Sequence, residues 1–202
     1  MQKKKLIEFN NVVILTSAEM LFENKGYEAT TVDDIALKAG ISKSTIYVYF
    51  KSKKLIWDSI ICGYMEQLLE VAKKASKGKG SFEKRYYQLC FDIADKFEEH
   101  PLLFHAAFDR IFTDSEHEVY KKIYDVAEQT DEAIAAFIRS GIEEGFVKKE
   151  LDVYPAVIML WSSISGIVSM ALDKEDYLKI RFSMTKKEYL KKAFNMLLEG
   201  IL

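Results

Sequence analysis

Residues 30–53, TTVDDIALKAGISKSTIYVYFKSK, decide the fold. Thr31 followed three residues later by Asp34 is a capping arrangement. The threonine oxygen takes a free amide of the first helical turn, and the carboxylate returns to the amide of the cap. Gly40 ends this helix, because a tight turn after a helix needs a backbone conformation that glycine reaches without strain. Ser42 then caps a second helix running to about Phe50. Ala36 is small enough for the two helices to cross closely, and Ile35, Ile41, Ile46 and Phe50 are spaced to form their shared core. The stretch reads as a helix-turn-helix.

The second of these helices sorts its faces. At about 100° per residue, Ile46 and Phe50 lie together and point inward. Ser44 and Val48 occupy the opposite face, with Thr45 and Tyr47 on its shoulders and Lys43 and Tyr49 on its flanks. Short hydroxyls, an aromatic hydroxyl and a small apolar group are side chains that can reach base edges in a major groove wide enough for a helix.

The same helical spacing runs outward through the chain, and alternation of period two is nearly absent. Nine glycines and two prolines are few for 202 residues, which again favours helices over strands and turns. A first helix is expected over roughly Leu6–Asn24, with Phe9, Val13, Thr16, Ala18, Met20 and Phe22 around it and Lys25-Gly26 after it. Ser52 caps a fourth helix, apolar from Leu55 to Val71, and KKASKGKG (73–80) reads as the loop after it. Ser81 opens a fifth helix stopped at His100-Pro101. A sixth follows to about Phe112, and a seventh from about Glu116 to Glu144 ends at Gly145. An eighth is expected from Tyr154 to Leu172, and Thr185-Lys186-Lys187-Glu188 caps a last one. The expected architecture is all-α: a three-helix helix-turn-helix domain over 1–53, joined to a larger helical domain over 54–202, with about nine helices in the chain.

Hydrophobic residues make up 49% and charged residues 30%, the balance of an ordinary globular protein. The net charge of −2 is unevenly divided. Residues 1–57 hold nine lysines against six acids, a net of +3, so the remainder carries −5. A basic end on an acidic body is compatible with nucleic-acid binding by that end and equally with chance imbalance. Cys62 and Cys90 lie in apolar helical surroundings and read as reduced core thiols. The chain shows no signal-peptide pattern at its start, and a cytoplasmic location is expected. Val153–Leu172 is uncharged and long enough to span a bilayer. It contains Pro155 and four serines and stands alone in a polar chain, so a helix buried in a core or a subunit interface is the better reading.

The pattern T-T-V-x-x-I-A-x-x-A-G-I-S-x-S-T-I-Y-x-Y-F-x-S-K, with Leu21-Phe22 and Gly26-Tyr27 before it, resembles the N-terminal signature of the tetracycline-repressor (TetR) family of transcriptional regulators. The resemblance covers about a quarter of the chain. It implies that Lys43, Ser44, Thr45 and Val48 face base edges, Val48 packing on thymine methyls. It also implies that Tyr47 and Tyr49 place hydroxyls on phosphates, Tyr49 being open to a packing role as well. Lys53 would hold a phosphate with the N-terminus of the fourth helix, and Thr31 would bond another. Lys54 departs from the family pattern, which has an acid there, and would add positive charge near DNA. Lys3, Lys4 and Lys5 are either a backbone-binding arm or a solvated tail.

The resemblance further implies a homodimer built from the last two helices and a roughly palindromic operator. Ile158, Ser162, Ser165, Gly166 and Ser169 on one helix and Tyr189, Ala193, Phe194 and Leu197 on the other are the expected interface. A plain monomer core is the alternative. Phe91, Phe104, Phe108, Phe112, Tyr124, Phe137 and Trp161, with His105 and Arg110 as polar anchors, are candidates to line a pocket for a small apolar or aromatic ligand. The expected function is a repressor released from its operator by that ligand. A helical adaptor whose helix-turn-helix contacts protein, and an all-helical enzyme using the aromatic residues, are the competing readings. His100, His105 and His117 with Asp109, Asp114 and Glu116 lack metal-ligand spacing, and the chain has no phosphate loop or nucleophile elbow. No metal, cofactor or catalytic residue is therefore expected.

Overall fold

A computed structural model describes residues 2–108 and 117–201 of the chain. Within them lie ten helices: α1 (Gln2–Lys25), α2 (Val32–Ala39), α3 (Lys43–Tyr49), α4 (Lys53–Lys77), α5 (Phe82–Glu99), α6 (Pro101–Phe108), α7 (Glu118–Glu143), α8 (Val153–Asp173), α9 (Glu175–Phe182) and α10 (Lys186–Ile201). No strand occurs among the described residues. The expected caps are in place. Thr31 and Asp34 form the reciprocal box at α2, and Ser42 and Ser81 accept the amides of Thr45 and Lys84. Thr185 and Glu188 exchange bonds at α10. Gly40 and Gly145 take the left-handed conformation after their helices, with φ of 67° and 72°.

Three boundaries differ from the patterning. First, α1 begins at Gln2, well ahead of Leu6. Second, α4 continues through residues expected to be a loop, because Ala72 and Ala75 are buried and Lys74 and Lys77 suit the negative end of a helix. Third, α9 was not expected. Only Leu178 of its eight residues is buried, so its sequence carries almost no apolar period, and it is closed by Ser183 at φ 50°.

The chain divides into two compact units. The first comprises residues 1–64 and 105–123. Its core is Ile14, Ala18 and Phe22 of α1 with Ile35, Ile46, Ile56, Ile60 and Ile61. Phe22, Tyr27 and Trp57 form an aromatic cluster with ring centroids 5.1–5.5 Å apart, tying α1 to α4. On α1, Phe9 and Met20 are exposed rather than in this core. Asp58 is fully buried, and its carboxylate accepts bonds from Lys54 (2.7 Å) and the Tyr120 hydroxyl (2.6 Å). The Lys54 charge is thus spent on a buried carboxylate, contrary to the expectation that it serves DNA.

The second unit comprises residues 65–104 and 124–202. Within it α8 packs on α5, α9 and α10. Ala156, Val157, Leu160, Trp161, Ile164, Val168 and Ala171 form its buried face. Ile158, Met159, Ser162, Gly166 and Met170 lie on its exposed face. The uncharged helix is therefore half core and half open surface. The Tyr86 hydroxyl donates to the Phe194 carbonyl and Phe91 meets the Phe194 ring edge-on, joining α5 to α10. Phe82 stacks on Phe137 at 4.6 Å, and Gly141 lets that ring and Val147 close over α7. Arg85 is almost wholly buried and pairs with Glu144, whose other oxygen accepts the Phe82 amide at the start of α5. Cys62 and Cys90 are buried and form no disulfide, and desolvation pushes the Cys90 thiol well above its usual range.

Candidate nucleic-acid interface

The helix-turn-helix is built from its core outward. Ile35 and Ile46 are fully buried and Ala36 nearly so, while Ile41 and Phe50 are half-buried. Burying each isoleucine contributes roughly 1.5–3 kcal/mol, enough to set how α3 lies on α2. The Gly40 turn is closed by the Ile41 amide on the Ala36 carbonyl at 3.1 Å.

With Ile46 pinned, the outer side of α3 is free. Val48 is 72% and Tyr47 40% exposed, and Ser44 is exposed. Ser42 sits at the centre of a hydroxyl cluster. Its oxygen accepts the Thr45 amide at 3.1 Å and lies 2.8 Å from the Ser44 hydroxyl and 2.7 Å from that of Thr45. Lys43 extends over the turn to Asp33 of α2, Nζ to Oδ2 2.8 Å, and that bond raises the lysine pKa. The α3 segment itself contains no acidic residue.

The flanking candidates have partners inside the protein. The Tyr49 hydroxyl accepts a bond from Asn10 Nδ2 at 2.8 Å, fastening α3 to α1. Thr31 spends its hydroxyl on Asp34, which also bonds Lys25; that lysine and the threonine hold the carboxyl far below the usual carboxylate range. Lys53 donates to the carbonyls of Tyr27 (2.7 Å) and Thr30 (3.0 Å), and its ammonium lies 4.2 Å from the centre of the Tyr27 ring. Its charge thus supports the turn between α1 and α2 at the very end of α4 expected to meet phosphate. Asn10 and Asp33 were not among the candidates. Each acts across a turn or between helices, where periodicity carries no signal.

The candidate pocket residues fall into separate pairings. Phe104 meets Phe97 at 4.4 Å, Phe137 meets Phe82, and Phe91 meets Phe194. Trp161 lies on the buried face of α8, and His105 is half-buried. Tyr124 is 61% exposed and faces away from the interior, contrary to the expectation of a pocket wall. The side chain of Phe108, and Arg110 and Phe112 entirely, lie outside the described residues, as do Asp109, Asp114 and Glu116. A cavity of about 210 Å³ opens between α4 and α5, lined by Val71, Ala75, Leu89, Lys84 and Arg85 among others, and contains none of the candidates.

On the expected interface, Ile158, Ser162 and Gly166 are exposed, and Ser165, Ser169, Tyr189, Ala193 and Leu197 half-exposed. Phe194 is a correction: it is fully buried within its own subunit, and its place is taken on the α10 surface by Met196, 71% exposed.

A short helix held from behind by Ile46, with hydroxyls, a lysine and a valine turned to solvent, defines a helix-turn-helix DNA-binding protein. Residues 14–57 match the family model of bacterial regulatory proteins of the tetR family. The HTH-type transcriptional regulator YhgD of Bacillus subtilis (strain 168) is 28% identical over 133 residues, 66% of this chain and 67% of its own. The negative regulator IcaR of the biofilm operon icaADBC in Staphylococcus aureus (strain Newman) is 25% identical over 148 residues, 73% of this chain and 77% of its own. In fold, the chain is similar to the regulator FadR of Bacillus subtilis, crystallised with stearoyl-CoA. The TM-score is 0.70 at 22% identity, covering 95% of this chain and 99% of that one. Residues 14–57 thus match the tetR-family region, and over most of its length the chain is similar to HTH-type transcriptional regulators.

Proposed function

We propose that the protein is a repressor that reads a palindromic operator as a homodimer and leaves it when a small apolar ligand binds. One observation carries the reading: the outer side of α3, Ser44 to Val48, is open to solvent while Ile46 anchors the helix. Ser44, Thr45 and Val48 contact base edges. Lys43 works at the edge of that group, and the Tyr47 hydroxyl takes a phosphate. Tyr49, Thr31 and Lys53 contribute chiefly by positioning, since their polar atoms already hold α1, α2 and the turn at 27–30. The protein acts in the cytoplasm, where its operator lies.

Repression is supported by the likeness to IcaR, a negative regulator. An apolar ligand is supported by the aromatic content of α5 to α8 and by the likeness in fold to FadR, which holds stearoyl-CoA. Ligand acts only through its preference for the conformation that releases DNA. The partner surface is the exposed side of α8 with Tyr189, Ala193, Met196 and Leu197 of α10.

Selection of bound duplexes from a random pool tests the reading. A palindrome is the expected product, and Tyr47→Ala should abolish its mobility shift without lowering the melting temperature. Recovery of no preferred sequence, or full affinity in the variant, overturns it.

A further inference from the structure

Asp33 stands in the first turn of α2 and reaches across the Gly40 turn to the first residue of α3. Its carboxylate is 68% exposed and lies 2.8 Å from Lys43 Nζ, itself on a side chain 48% exposed. The neighbouring acid, Asp34, has a separate task in the α2 cap and with Lys25. Asp33 takes no part in that cap, and its carboxylate accepts a bond from Lys43. Capping and core packing therefore leave Asp33 unexplained.

We propose that Asp33 is a specificity-determining residue: it holds Lys43 off the DNA backbone, so that α3 binds tightly only where base edges repay the contact. The inference rests on the reading of α3 as the DNA-contacting helix. A lysine that neutralises one phosphate releases counterion whatever the sequence, a gain that is blind to bases. Paired with Asp33, Lys43 presents no net charge to the backbone. Moving it to a phosphate would leave a bare carboxylate beside the duplex. A guanine edge offers the lysine two acceptors within the groove, and there the pair can be given up for a contact that depends on sequence.

The test uses the full-length protein, the duplex recovered by selection from a random pool, and a scrambled duplex of the same length and composition. Affinity for each is measured across a salt series for wild type, Asp33→Asn and Asp33→Asn/Lys43→Met. In Asp33→Asn the freed lysine takes a phosphate. The plot of log affinity against log salt for the scrambled duplex should steepen by about 0.9, which corresponds to a gain on the order of eightfold at 0.1 M salt. Discrimination between the two duplexes should fall, and the double variant should lose the gain. An unchanged slope and discrimination in Asp33→Asn, weaker binding to the scrambled duplex, or a gain that survives Lys43→Met overturns the inference while leaving α3 as the reading helix. Failure of the wild-type protein to bind any duplex in a salt-dependent way overturns both.

Discussion

Lys53 shows how one side chain can answer to two demands. Its ammonium is held by the carbonyls of Tyr27 and Thr30 and by the Tyr27 ring, so removing it disturbs the turn that presents α2 as well as any phosphate contact. Asp34 makes a cleaner probe of the same region. Lys25 and Thr31 depress its pKa in the folded protein below the unfolded value of about 3.9. Its contribution to stability is therefore complete above that value and is lost as pH falls through the lower, folded pKa. Asp34→Asn should lower the melting temperature at neutral pH, and its gap to wild type should narrow as the pH is taken from about 5 to 2. A gap independent of pH would show that the carboxylate charge is not what the cap uses. Residues of this kind were legible in advance. Thr31, Ser42, Ser81, Thr185 and Gly40 act within three residues of where they stand, and their chemistry is written locally. Asp33 with Lys43 and Asn10 with Tyr49 are ten and thirty-nine residues apart and depend on how helices cross.

Helices with a strong apolar face were found to within a few residues. The two that misled did so for physical reasons. The end of α4 is rich in lysine and looks like a loop, yet Ala72 and Ala75 supply just enough buried surface to carry the helix to Lys77. The α9 helix buries Leu178 alone and leaves Ile180 86% exposed, so nothing in its composition marks an inward side. The α7 helix illustrates the opposite case, where a small residue is essential. A β-carbon at Gly141 would lie 2.6–2.7 Å from the Phe82 ring and Val147. The ring is fully buried against Phe137 and has no room to retreat. Gly141→Ala should destabilise the protein by about 1–3 kcal/mol, measured by urea denaturation, while Gly63→Ala, which meets nothing within 4 Å, serves as the control. Equal stability of the two variants would mean that the α5–α7 contact is looser than described.

At the scale of the molecule, α8 and α10 separate core from surface within single turns. Ile158 and Phe194 were expected at the same interface, but one is 70% exposed and the other fully buried. Ile158→Arg should leave the melting temperature of the subunit nearly unchanged, yield a monomer in sedimentation equilibrium and weaken operator binding, since a paired site needs paired reading helices. Phe194→Ala should instead cost about 3–5 kcal/mol of subunit stability. Dimers that persist in Ile158→Arg at the same concentration would move the partner surface elsewhere. The proposed interface could be read onto these helices from the family resemblance, with which their small and apolar residues agree. Which of them turn outward could not, because α8 is apolar on both sides and only the packing of α5 and α10 chooses between them.

The way α3 is fastened has an evolutionary corollary. Its conformation is fixed by Gly40, the Ser42 hydroxyl and Ile46, none of which lies among Ser44, Tyr47 and Val48 on the open side. Exchanges at those three positions leave the scaffold's free energy almost untouched. A duplicated copy of this chain could thus drift to a new recognition sequence by single steps, each of them folded, without passing through an unstable ancestor.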